Sequence, residues 1–172
     1  MIDSSVGNVI EAVSSGQADF GLCFAKNLPA SIEFTPLADD RYVAACRHDH
    51  PLARKTHLSW QAYFEQDYIG LDRVSGNRTL LDRELAHLTP ARPSICETRH
   101  VTTMLGMVEA GIGIAAVPAM SMPAGEHSVL RAVPLTDPVV TRTVGLIRLS
   151  GRIQSYVAAE LEKLIIEQYP SG

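Results

Sequence analysis

Cys46, His48, His50 and His57 are the metal-ligating side chains most closely spaced in this sequence, and all are of types that bind zinc. On a strand, the alternation Cys-x-His-x-His would turn three of them to one face. The paired cysteine and histidine spacings of structural zinc sites are absent, however, and Pro51 breaks the segment. A polar loop over 48–57 is favoured, and no metal is expected. Nucleophilic catalysis would need an organised Ser or Cys, a base and an oxyanion hole. The sequence has no Gly-x-Ser-x-Gly elbow, and Ser75-Gly76 reads as a helix start. Gly111-Ile112-Gly113 lies at a helix-to-strand turn, the reverse of the order a dinucleotide fingerprint needs, and there is no P-loop. No cofactor and no catalytic residue are expected. The three cysteines, Cys23, Cys46 and Cys96, sit in apolar, strand-like surroundings and read as buried fillers.

Anion binding is the chemistry that the residue pattern does support. Helix N-termini carry unpaired N–H groups and partial positive charge. Three helix starts are rich in small hydroxyl or amide residues: Ser4-Ser5, Ser75-Gly76-Asn77, and the turn from His100 to Thr103. Such ends suit a carboxylate or another small anion. Each residue could equally do no more than cap its own helix; the coincidence of three is what favours a site. Arg73, Arg78, Arg99 and His100 flank these starts, either as solvated charges or with one of them, Arg78 or His100 first, pairing with a ligand carboxylate.

These starts must be held by α/β elements. Val6, Val9, Ile10 and Val13 make a helical stripe ended by Gly16, and a strand follows over 19–24. Val101, Met104, Leu105 and Val108 repeat the stripe, Gly111 ends it, and 112–117 reads as a buried strand stopped by Pro118. Two helix–Gly–strand units far apart in sequence imply two lobes, with the strands near Phe20 and Ile114 in different ones. Between them, 32–37 and 42–46 read as two strands around a polar turn at Asp39-Asp40. Residues 58–64 read as a short helix, 68–71 as a strand, 75–88 as a helix and 94–98 as a strand, with 129–135 and 140–149 strand-like. The final helix presents an apolar stripe of Ile153, Tyr156, Val157, Leu161, Leu164 and Ile165.

The 172 residues are 46% hydrophobic and 20% charged, with a net charge of −4, which gives no basic footprint for nucleic acid. No apolar run is long enough for a membrane span, there is no signal-peptide pattern, and the odd cysteine count fits a reduced, cytoplasmic setting.

Several phrases, in order, resemble the effector domain of LysR-type transcription regulators. They are 11–22 (Glu11 to Leu22, around Asp19-Phe20-Gly21), Pro36-Leu37, Asp49-His50-Pro51-Leu52-Ala53, 107–118 (Met107 to Pro118, around Gly111-Ile112-Gly113), and Leu130 to Leu135 with Asp137-Pro138 and Arg142. The resemblance covers about four fifths of the chain. It implies an α/β, two-lobed fold like type II periplasmic binding proteins. Lobe one would be 1–47 plus 140–172, lobe two 48–139, with a small-molecule effector between them and Pro118 beside it or serving only as a strand stop. It also implies that the helix-turn-helix and the opening strand–helix–strand of lobe one precede this chain. Lobe one is then expected to be incomplete, with an uncovered strand edge and final helix that favour a homo-oligomer, and DNA contact is left to the missing segment. The alternative from another class is a solute-binding protein of a transport system; an enzyme on the same scaffold is the weaker third.

Overall fold

The computed structural model describes residues 5–24, 28–90, 92–124 and 129–169. In chain order its elements are α1 (Val6–Ser14), β1 (Phe20–Phe24), β2 (Ile32–Arg47), a 3-10 turn (Pro51–Arg54), β3 (Leu58–Ser59), α2 (Trp60–Phe64), β4 (Tyr68–Leu71), α3 (Gly76–Glu84), β5 (Cys96–Thr98), α4 (Val101–Glu109), β6 (Ile114–Pro118), a second 3-10 turn (Ala119–Ser121), β7 (Leu130–Thr136), β8 (Thr141–Leu149) and α5 (Tyr156–Gln168). They divide into two compact units, Met1–Asp40 with Arg142–Gly172, and Arg41–Thr141. The first boundary falls inside β2, not after it: this strand is shared by the two ladders. β1 and β6 belong to different units.

In the first unit, β1 runs antiparallel to β8 with Leu22 opposite Leu146, and β8 neighbours β2. Val13 of α1 is fully buried against Cys23, Ile32 and Ile147, with Val9 and Ile10 packed on the same cluster. Gly16 ends α1 at φ 75, and Gly111 ends α4 at φ 77; this left-handed conformation is open to glycine at little cost.

One sequence expectation fails in this unit. No turn forms at Asp39-Asp40: β2 continues through them for 16 residues. Their charge is met from β8, where Arg142 donates to Asp40 through Nε (3.1 Å) and Nη2 (2.9 Å) and the Thr143 hydroxyl donates to Asp39 (2.7 Å). The polar pair therefore reads as a turn in sequence but as a cross-strand clasp in space. The apolar stripe of the final helix is left largely uncovered among the described residues: Tyr156 is 80% and Val157 75% exposed, while Ala158 and Glu162 are the buried residues of α5. Glu162 is accommodated because Gln154 donates to it at 2.7 Å.

The second unit is a mixed sheet with helices on both faces. β2 pairs antiparallel with β6 and with β7; β4 is parallel to both β6 and β5; β3 is parallel to β7. Strand alternation sorts β2 into two cores. Tyr42, Ala44 and Cys46 face α2 and α3 with Trp60, Tyr63, Leu80 and Ile114. Val43 and Ala45 face α4 with Ile69, Met104, Val108 and Val117. Trp60 is 1% exposed and its indole N–H donates to the Pro138 carbonyl at 2.9 Å. Tyr63 accepts a hydrogen bond from the Ala116 N–H at 2.9 Å, a buried tie between α2 and β6. α3 is shorter than the pattern over 75–88 suggests, because Leu85 leaves helical geometry and ends it.

Candidate functional site

Parallel strands set the site. β4 and β5 run in register with Leu71 beside Thr98, so the residues that follow each strand emerge at one end of the sheet. Ser75 then occupies the N-cap position of α3, and His100 that of α4. β6 is parallel to β4, which brings Pro118 to the same end; it is buried and lies opposite Tyr42 of β2. The Tyr42 hydroxyl donates to Asn77 Oδ1 at 2.8 Å, tying the start of α3 to the sheet. The structure thus gathers Ser75, Gly76, Asn77, His100, Thr102 and Pro118 at the C-terminal ends of parallel strands, where α/β sheets commonly bind ligands.

The helix starts themselves are suited to a negative charge. Neither α3 nor α4 has an acidic residue in its first turn, and neither N-cap side chain bonds back to its helix. The Ser75 hydroxyl and the His100 imidazole are therefore not consumed by capping. Ser5 differs: its hydroxyl accepts from the Asn8 N–H at 3.4 Å and caps α1, in the other unit. Ser4 lies outside the described residues.

Arg78 is engaged elsewhere. Its Nε donates to Asp82 at 2.7 Å, and its Nη1 donates to the Leu71 carbonyl at 3.0 Å and to Glu97 at 3.3 Å. The hydrogen bond to Asp82, ahead of the other contributions, raises the guanidinium pKa above its ordinary value. Sequence reasoning missed Asp72. This residue directly follows β4, and its Oδ2 accepts from Arg99 Nε at 3.3 Å. Its Oδ1 is buried without a hydrogen-bond partner among the described residues. The available signal was a carboxylate between an apolar strand and a helix cap, but a search for cations passes over it.

The Cys/His group does not converge on a metal. The Cys46 thiol faces the Arg131 carbonyl at 3.9 Å, His48 Nδ1 lies 3.2 Å from the Val129 carbonyl, and His57 lies 3.1 Å from the Thr56 hydroxyl. His50 Nδ1 accepts from the Leu52 N–H at 3.2 Å, capping the 3-10 turn that Pro51 opens. Among the described residues no three His, Cys, Asp or Glu side chains could hold an ion. Burial raises the Cys23 thiol pKa, and pushes that of Cys46 up to about 11. At pH 8 the native protein should therefore react with a thiol reagent first at Cys96, which is only partly buried, while Cys23 and Cys46 react only on unfolding. A timed Ellman titration with and without denaturant checks this.

The LysR substrate binding domain model matches residues 2–170. The chain belongs to this family. The uncharacterized HTH-type transcriptional regulator YbhD of Escherichia coli (strain K12) is 38% identical over 166 residues, covering 96% of this chain and 52% of its own length. The chain spans about half the length of this and other curated relatives it matches. Among solved structures, the effector-binding domain of QuiR in complex with shikimate is 22% identical with a TM-score of 0.80, covering 96% of this chain and 78% of that one. The Synechocystis PCC6803 CcmR regulatory domain in complex with 2-PG is 16% identical with a TM-score of 0.83, covering 98% and 81%. The α/β fold is that of LysR effector-binding domains, and this is a regulator domain rather than an enzyme. No helix among the described residues is long and apolar enough to cross a membrane.

Proposed function

We propose that this LysR-family domain senses a small hydroxylated organic anion at the strand ends that carry Ser75, Asn77, His100 and Thr102. The observation that carries the reading is the pair of helix starts at one end of a parallel sheet, both free of acidic first-turn residues and of side-chain capping. Asp72 refines the ligand: a carboxylate oxygen without a partner asks for a hydroxyl donor beside the anion. Shikimate, bound by QuiR, has both groups. In a full-length cytoplasmic regulator, occupancy would control DNA binding by an N-terminal helix-turn-helix outside this chain, which is itself acidic and expected not to hold duplex DNA. The regulator relatives favour this reading over a transport solute-binding protein.

Calorimetry with hydroxy carboxylates and their uncharged amides tests the reading. The acids should bind and the amides should not. Thr102→Asp puts a carboxylate in the first turn of α4, a substitution the helix tolerates, and should weaken acid binding about tenfold or more. Equal binding of acids and amides, or acid binding unaffected by Thr102→Asp, contradicts it.

We also propose a homo-oligomer. β1 is the outer strand of its ladder, and Tyr156, Val157, Leu161 and Leu164 leave an apolar face of α5 exposed. Light scattering across a dilution series should show a mass above 18.7 kDa that falls when Val157 and Leu161 become Ser. A constant monomer mass would rule this out.

A further inference from the structure

The second unit holds a partly open cavity of about 410 Å3 on the α3 side of its sheet, and the anion site does not use it. Its wall is mixed, with an aromatic and aliphatic part and a polar part. Phe64 and Tyr68 meet edge-on with centroids 5.5 Å apart, Trp60 and Tyr63 stand behind them, and Leu81 and Leu88 face them from α3 and the turn after it. The volume is in the range of small-molecule sites. Its polar groups are concentrated at Arg78, Asp82, Glu97 and Arg92. Arg78 is bonded to both Asp82 and Glu97, and Arg92 is paired with Asp67 at 3.3 Å. Arg78 therefore faces two carboxylates with one positive charge. Asp82 and Glu97 remain 58% and 44% exposed, with acceptor lone pairs to spare. Such a lip repels an acid and attracts an ammonium, while the ring faces of Phe64 and Tyr68 favour a flat partner and a nearby cation.

We propose that this cavity is a second ligand site, taking a small aromatic amine whose ring enters the Phe64–Tyr68 wall and whose ammonium meets Asp82 and Glu97. The site is separate from the anion-sensing one and of opposite charge preference. Trp60, the single tryptophan of the chain, forms part of the wall and reports occupancy through its fluorescence. Phenethylamine and phenylacetate are the probes, because they share a ring and chain and differ in charge. Phenethylamine should change the Trp60 emission saturably and bind at least about tenfold more tightly than phenylacetate. Ala86→Phe, which adds bulk from an exposed position of the lining, should abolish the response while leaving hydroxy-acid binding sensitive to Thr102→Asp as before. The double variant Asp82→Asn/Glu97→Gln frees Arg78 and should invert the preference towards phenylacetate. Equal binding of the two probes, no saturable response to phenethylamine, or amine binding that survives Ala86→Phe with no inversion in the double variant would overturn the proposal. Loss of hydroxy-acid binding alone would count against the anion site only.

Discussion

Arg142→Met should destabilise the first unit by about 3–5 kcal/mol, the usual cost of removing one partner from a buried ion pair. The Asp40 side chain is fully buried and that of Arg142 is 14% exposed, so water cannot take over the lost bonds. Two donors to Asp40 disappear together, and so does the guanidinium 5.1 Å above the Phe24 ring. Urea titration followed through signals of β1 and β8 should show the loss. The partner variant Asp40→Leu/Arg142→Met should recover much of it, since an apolar pair of similar bulk avoids burying an unmatched charge. A single variant within about 1 kcal/mol of wild type would show the pair to be a surface-like contact of the kind that contributes little.

Trp60→Ala should cost the second unit a similar amount, about 3–5 kcal/mol. The indole is 1% exposed, packs on Tyr63 with ring centroids 5.7 Å apart, and bonds to the Pro138 carbonyl. Its removal leaves a hole beside an existing cavity and an acceptor without its donor, so both the cavity and the hydrogen-bond penalties apply. Trp60→Phe keeps most of the volume and should lose clearly less. Thermal melts of the two variants give the comparison, and equal losses would show that the N–H bond rather than the packing dominates.

What could be read from the sequence was local. The stripe of Val6, Val9, Ile10 and Val13, the glycines that end α1 and α4, and the buried run of β6 are periodicity and backbone effects, visible wherever packing agrees with propensity. The strand break at Asp39-Asp40 was misread because its solution lies about a hundred residues away, in Arg142 and Thr143. The stripe of α5 was legible too, because an apolar face in sequence says that it seeks cover, and the described residues leave it exposed. At the site, Ser75, Asn77, His100 and Thr102 follow from helix-start chemistry. The commitment of Arg78 to Asp82 and Glu97 does not, because Glu97 comes from the neighbouring strand. Asp72 was missed for the opposite reason: looking for groups that attract an anion passes over a carboxylate whose buried Oδ1 lacks a partner among the described residues.

The most direct measurement is an amide chemical-shift map of the labelled chain titrated with shikimate. Saturable shifts are expected in the first turns of α3 and α4, at Gly76, Asn77, Val101 and Thr102, with Asp72 moving alongside them and with all of them suppressed by Thr102→Asp. Saturable binding that leaves those amides unmoved and shifts a different surface would contradict it.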